Sequence, residues 1–88
     1  MSAYKIEWLP AAVRRFGRLD PQVQARVLRR ISALADEPRP SDVVKLSGAD
    51  NLWRIRIGDY RVIYRLVDAV LVVTVVEVGH RREVYRSL

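Results

Sequence analysis

Cysteine is absent from this 88-residue chain, which excludes disulfides and thiolate metal ligation. Histidine occurs once, and only two of the sixteen basic residues are lysines. No apolar run approaches the length of a membrane span, and the opening Met1-Ser2-Ala3-Tyr4-Lys5-Ile6-Glu7 has no apolar signal core, so the expected location is the cytoplasm, with no membrane partner. There is no internal repeat, low-complexity tract or linker. A single domain over residues 1–88 is therefore expected.

Half of the residues are hydrophobic and 30% are charged, the balance of a folded globular domain rather than a disordered chain. A chain of this size removes only about 60 to 65% of its unfolded surface from water, so its stability is expected to be marginal. Sixteen basic against ten acidic residues leave a net charge of +6, a field that attracts polyanions. Arginine's planar fork bonds phosphate oxygens in pairs, whereas lysine acts as a point charge, so this usage favours phosphate-rich partners. A GC-rich coding sequence would give the same bias, and placement decides between the two.

Residues 4–8 alternate in polarity like a short strand. Pro10 permits a helix start, Leu9, Ala12, Val13 and Phe16 mark one face, and Gly17 ends it. Asp20-Pro21 is an N-cap followed by a helix-opening proline, and Val23, Val27, Leu28, Ile31, Leu34 and Ala35 recur at helical spacing to about Asp36. The other side of that helix, with Arg26, Arg29 and Arg30, reads as a solvated face, with an RNA or partner surface as the alternative. Pro38 and Pro40 end helical structure. Residues 42–46, 51–57, 60–67 and 70–78 are rich in β-branched and aromatic types and read as strands. The last is apolar on both sides and should be central. The fold class is α+β: two N-terminal helices packed on a mainly antiparallel twisted sheet, in the order β-α-α-β-β-β-β.

Gly58-Asp59 separates two strand patterns, and a two-residue loop with glycine first suits a type II′ hairpin turn. That turn fixes a register in which Arg56 faces Arg61, Ile55 faces Val62 and Trp53 faces Tyr64. Trp53, Ile55, Ile57, Tyr60, Val62, Tyr64 and Leu66 then line the core side, and Arg54, Arg56, Arg61 and Arg65 share the other, the solvent side. Like charges opposed on a sheet destabilise by about 0.2 to 1 kcal/mol per pair, so such a cluster in a marginal domain points to an anion, a phosphodiester being the natural one. The alternative is a solvated arginine face screened by salt and by acids such as Asp68 or Glu77. Beyond the last strand, His80, Arg81, Arg82, Tyr85 and Arg86 add positive charge, a histidine able to move protons near neutral pH, and a phenol among arginines.

Lys45-Leu46-Ser47-Gly48, then Leu52-Trp53-Arg54-Ile55-Arg56-Ile57-Gly58-Asp59-Tyr60-Arg61-Val62-Ile63-Tyr64, then Val78-Gly79-His80-Arg81-Arg82-Glu83-Val84-Tyr85 together resemble the RelE/ParE toxin superfamily. The likeness extends to Trp8-Leu9-Pro10 and the helical hairpin, and so covers nearly the whole chain. It implies a toxin of a type II toxin-antitoxin system, neutralised by a cognate protein antitoxin in a hetero-oligomer. In the RelE branch it implies a metal-independent and cofactor-independent endoribonuclease that cuts mRNA on the ribosome, the ribose 2′-hydroxyl attacking the adjacent phosphate.

Carried onto this sequence, the catalytic positions implied are Arg54, Arg56, Arg61, Arg81 and Tyr85, with Lys45, His80 and Arg82 as RNA contacts. Arg61 and Arg81 would hold the phosphate, and Tyr85 would stack on a base or assist proton transfer. This sequence departs from the RelE pattern at Arg54 and Arg56, where lysines are usual. An arginine keeps its proton, so the general base must lie elsewhere, with His80 as one candidate. The ParE branch offers an alternative in which the same fold inhibits DNA gyrase without cutting RNA, and a degenerate toxin that only binds antitoxin is a third.

Overall fold

Pro10 and Pro21 each occupy the first turn of a helix, where the missing N–H is no loss. The Asp20 carboxylate accepts from the Gln22 N–H at 3.0 Å, the cap expected from the sequence. The computed structural model describes residues 3–46, 48 and 51–80. Along the chain run β1 (Lys5–Trp8), α1 (Pro10–Gly17), α2 (Pro21–Ala33), β2 (Val44–Lys45), β3 (Leu52–Ile57), β4 (Tyr60–Val67), a 3-10 turn (Asp68–Val70) and β5 (Val72–His80). The α+β class and the element order agree with the sequence reading.

The five strands form one sheet in the order β1-β5-β4-β3-β2, with β1 parallel to β5 and the other neighbours antiparallel. β4 takes the middle, and β5 is interior beside it, as strands apolar on both sides require. Among the described residues the strand expected over 42–46 shrinks to Val44–Lys45, and β5 begins and ends two residues later than expected. α2 stops at Ala33 rather than near Asp36. Its last turn tightens, with Leu34, Ala35 and Asp36 donating to the carbonyls three residues back, and the Ala35 carbonyl accepts instead from the Tyr4 N–H at 2.7 Å.

Ala12, Val27, Ile31 and Leu34 from the helical layer meet Ile55, Ile57, Val62, Tyr64, Leu66, Val73, Val75 and Val78 of the sheet in one buried cluster. Trp8 packs edge-on against Phe16 at 5.3 Å between ring centres, joining β1 to α1. The apolar stripes of the helices are wider than this contact. Leu9, Val13 and Leu28 stay exposed, and Trp8, Val13, Phe16 and Leu28 line a shallow apolar groove.

Candidate nucleic-acid site on the outer sheet face

The β3–β4 hairpin has the register expected from its turn: Ile57 opposite Tyr60, Arg56 opposite Arg61, Ile55 opposite Val62, Arg54 opposite Ile63 and Trp53 opposite Tyr64. Gly58 has φ +58° and Asp59 has no positive φ, the pattern of a type II′ turn. Strand parity therefore sends Arg54, Arg56, Arg61 and Arg65 to the side away from the helices.

On that outer face three rows cross the sheet. Arg56, Arg61 and Gly79 form one, Arg54, Ile63 and Glu77 the next, and Leu52, Arg65 and Thr74 the third. The rows stay aligned because β5 carries one extra residue opposite Ile63 and Tyr64, a bulge that re-phases its side chains. Gly79 presents no side chain beside Arg61.

The sequence reading placed Arg61 on a solvent side, and the structure corrects this. Arg61 is 3% exposed, while Arg56 is exposed and Arg54 half-buried. Arg61 is on the central strand, where neighbours flank both edges, and Ile63 on the same face is also fully buried. Because a guanidinium does not deprotonate in proteins, the trio is a permanent positive site. Beside it lies a cavity of about 330 Å³ lined by Asp42, Val44, Arg54, Arg56 and Gly58. Asp42 is tied to Arg30 of α2 at 2.6 Å, which offsets the carboxylate's repulsion of an anion. Among the described residues no group of three or more His, Asp or Glu side chains is placed to hold a metal ion.

The other candidates separate from this trio. Lys45 pairs with Trp53 and holds its ammonium 5.7 Å from the indole centre, on the helix-facing side of the sheet. His80 pairs with Tyr60, the two rings meeting edge-on at 5.6 Å, and it too shares the helix-facing side. Together with Arg15 and Arg18 they border a second cavity of about 280 Å³. Arg81, Arg82 and Tyr85 lie outside the described residues. The sequence reading missed Asp42, Val44 and Gly58 as cavity walls and Arg30 as a partner of Asp42. No local signal could have found them, because Arg30 and Asp42 lie on different elements and meet only in the folded chain.

The family model for the ParE toxin of type II toxin-antitoxin systems matches residues 6–85. The chain belongs to this toxin family. An Escherichia coli RelE-like toxin protein is 27% identical over 81 residues, covering 89% of this chain and 83% of that protein. The archaeal RelE–RelB complex from Pyrococcus horikoshii contains a chain with TM-score 0.80 and 31% identity, covering 90% of this chain and 96% of its own. The intact E. coli RelBE toxin-antitoxin complex gives TM-score 0.79 and 25% identity, covering 89% and 96%. The fold and the superfamily agree with the motif reading. The family model bears the ParE name and these structures the RelE name, so the activity has to be argued from the site. No helix among the described residues is long and apolar enough to cross a membrane.

Proposed function

We propose that this toxin is a ribosome-dependent mRNA endoribonuclease that inhibits translation. The observation that carries this reading is the opposition of the exposed Arg56 to the buried Arg61, with Arg54 in the adjoining row, on one sheet face. In-line attack by a ribose 2′-hydroxyl places extra negative charge on the phosphoryl oxygens, and fixed cationic donors stabilise that charge more than the ground state. Arg54, Arg56 and Arg61 supply such donors, and Arg81 would add a fourth. None of them takes a proton, so deprotonation of the 2′-hydroxyl and protonation of the leaving 5′-oxygen fall to another group. Tyr85 is the first to test, and His80, which sits at the end of β5 on the helix-facing side, the second.

In the same reading Arg82 contributes an RNA contact, Lys45 and His80 contact RNA from the helix-facing side of the sheet rather than at the arginine centre itself, and no cofactor or metal takes part. A cognate antitoxin neutralises the toxin in a hetero-oligomer. The resemblance to chains solved as RelE–RelB complexes supports such a partner, as do the exposed Leu9, Val13 and Leu28. A ribosomal target implies a cytoplasmic protein.

The match to the ParE family model favours a second reading, inhibition of DNA gyrase without RNA cleavage. The arginines at 54 and 56, where RelE-type members carry lysines, point the same way. Primer extension on an mRNA under translation in a purified system separates the two. Cuts within codons that need both ribosomes and Arg56 establish the ribonuclease. An absence of cuts together with loss of supercoiling activity identifies the gyrase inhibitor.

A further inference from the structure

Arg26 of α2 reaches across to the β3–β4 turn. Its Nη2 lies 3.0 Å, and its Cζ 3.7 Å, from the position a Cβ would take on Gly58. The guanidinium thus rests on backbone that only glycine leaves uncovered, and the φ of +58° reserves the position for glycine independently. Gly58 is also a wall of the cavity that contains Arg54 and Arg56. One helical turn further along α2, Arg30 neutralises Asp42, the carboxylate in that same wall. Arg26 is exposed and has no acidic partner among the described residues. Two arginines at i, i+4 therefore serve one cavity: Arg30 cancels its negative charge and Arg26 adds a positive one at its rim.

We infer that Arg26 is a further phosphate-binding residue, holding an RNA phosphodiester next to the one at Arg54, Arg56 and Arg61. The choice of RNA rests on the ribonuclease reading. The contact with Gly58 positions the fork before the ligand arrives, which reduces the side-chain freedom lost on binding. Arg26 extends the binding track from the sheet face to the middle of α2 and takes no part in bond cleavage.

The test uses the full-length toxin and a single-stranded RNA with every ribose 2′-O-methylated, which binds without being cut. Fluorescence anisotropy is read over a series of salt concentrations for wild type, Arg26→Gln and Arg26→Lys. Arg26→Gln should weaken binding about tenfold at low salt and reduce the slope of log affinity against log salt by about 0.7, the share of one phosphate contact on a single strand. Arg26→Lys should restore the slope while recovering only part of the affinity, because it keeps the charge without the fork. In ribosomal cleavage Arg26→Gln should raise KM severalfold at unchanged kcat, with an unchanged melting temperature.

Affinity and salt slope equal to wild type in Arg26→Gln would overturn the inference, as would a wild type that does not bind the oligonucleotide. Failure of the ribonuclease reading shows separately, as absence of cleavage by wild-type toxin, while the binding series still reports on Arg26.

Discussion

Arg56 and Arg61 face each other across the β3–β4 hairpin, the first exposed and the second 3% exposed. Two like charges in directly opposed positions work against the hairpin that holds them, by about 0.2 to 1 kcal/mol. Arg56→Gln removes that repulsion and no buried atoms. We expect this variant to be equally or slightly more stable in urea, by up to about 0.5 kcal/mol, and to lose cleavage activity. A destabilised Arg56→Gln protein with full activity would contradict both the electrostatic account and the site.

Trp53 sits between its cross-strand partner Tyr64 and two cations, with the Arg39 guanidinium 5.0 Å and the Lys45 ammonium 5.7 Å from the indole centre. It packs against the core cluster from its edge. Trp53→Ala should cost about 3 kcal/mol, the loss of a large aromatic from a packed site. The indole N–H is buried and has no acceptor among the described residues, so removing it forfeits no hydrogen bond there. Trp53→Phe should accordingly cost less than about 1.5 kcal/mol, and equilibrium denaturation of the two variants checks the ranking.

The hairpin was legible in the sequence because a glycine-first loop and strict alternation fix both phase and register, and these two signals brought Arg54, Arg56 and Arg61 together correctly. β5 offered no such phase. Val72, Val73, Val75 and Val76 are apolar on both faces, so neither the bulge opposite Ile63 and Tyr64 nor the parallel pairing with β1 leaves a trace in the pattern. The end of α2 was misjudged because Leu34 and Ala35 continue the apolar stripe after the hydrogen bonds have tightened to three-residue spacing. Burial of Arg61 escaped for a different reason: alternation assigns a face to a residue, and the exposure of that face depends on strand order. Arg26 and Arg30 read as a solvated face because their contacts with Gly58 and Asp42 are long-range.

Asp68, in the turn between β4 and β5, accepts two hydrogen bonds from Arg39, at 2.7 and 3.3 Å, and one from the Tyr4 hydroxyl at 2.7 Å. The Arg39 guanidinium first, and Tyr4 second, hold its carboxyl below the usual carboxylate range. A carboxyl whose pKa is lower when folded stabilises the fold above its unfolded pKa, and that contribution fades as pH falls through the folded one. Asp68→Asn should therefore be less stable than wild type near pH 7. Melting curves of the two proteins should converge as acid titrates the carboxylate, and a constant gap down to pH 2 to 3 would mean that the clasp acts through shape rather than charge.

Tyr64, fully buried on β4, donates its hydroxyl to the Pro38 carbonyl at 2.7 Å, fastening the segment after α2 to the sheet. Burial raises its pKa well above the ordinary 10.0, with nearby Arg39 and Arg30 opposing the shift only in part. A phenol whose pKa is raised on folding contributes stability that is fully present below the unfolded value and is lost as pH rises toward the folded one. Tyr64→Phe deletes the hydrogen bond and should cost about 1 kcal/mol at neutral pH. It also removes the ionisation that rewards unfolding in alkali. The stability gap between wild type and Tyr64→Phe should then shrink as pH rises past about 10. A gap that widens there would show that the Tyr64 phenolate is tolerated in the folded core, and that the bond to Pro38 is not what holds the segment down.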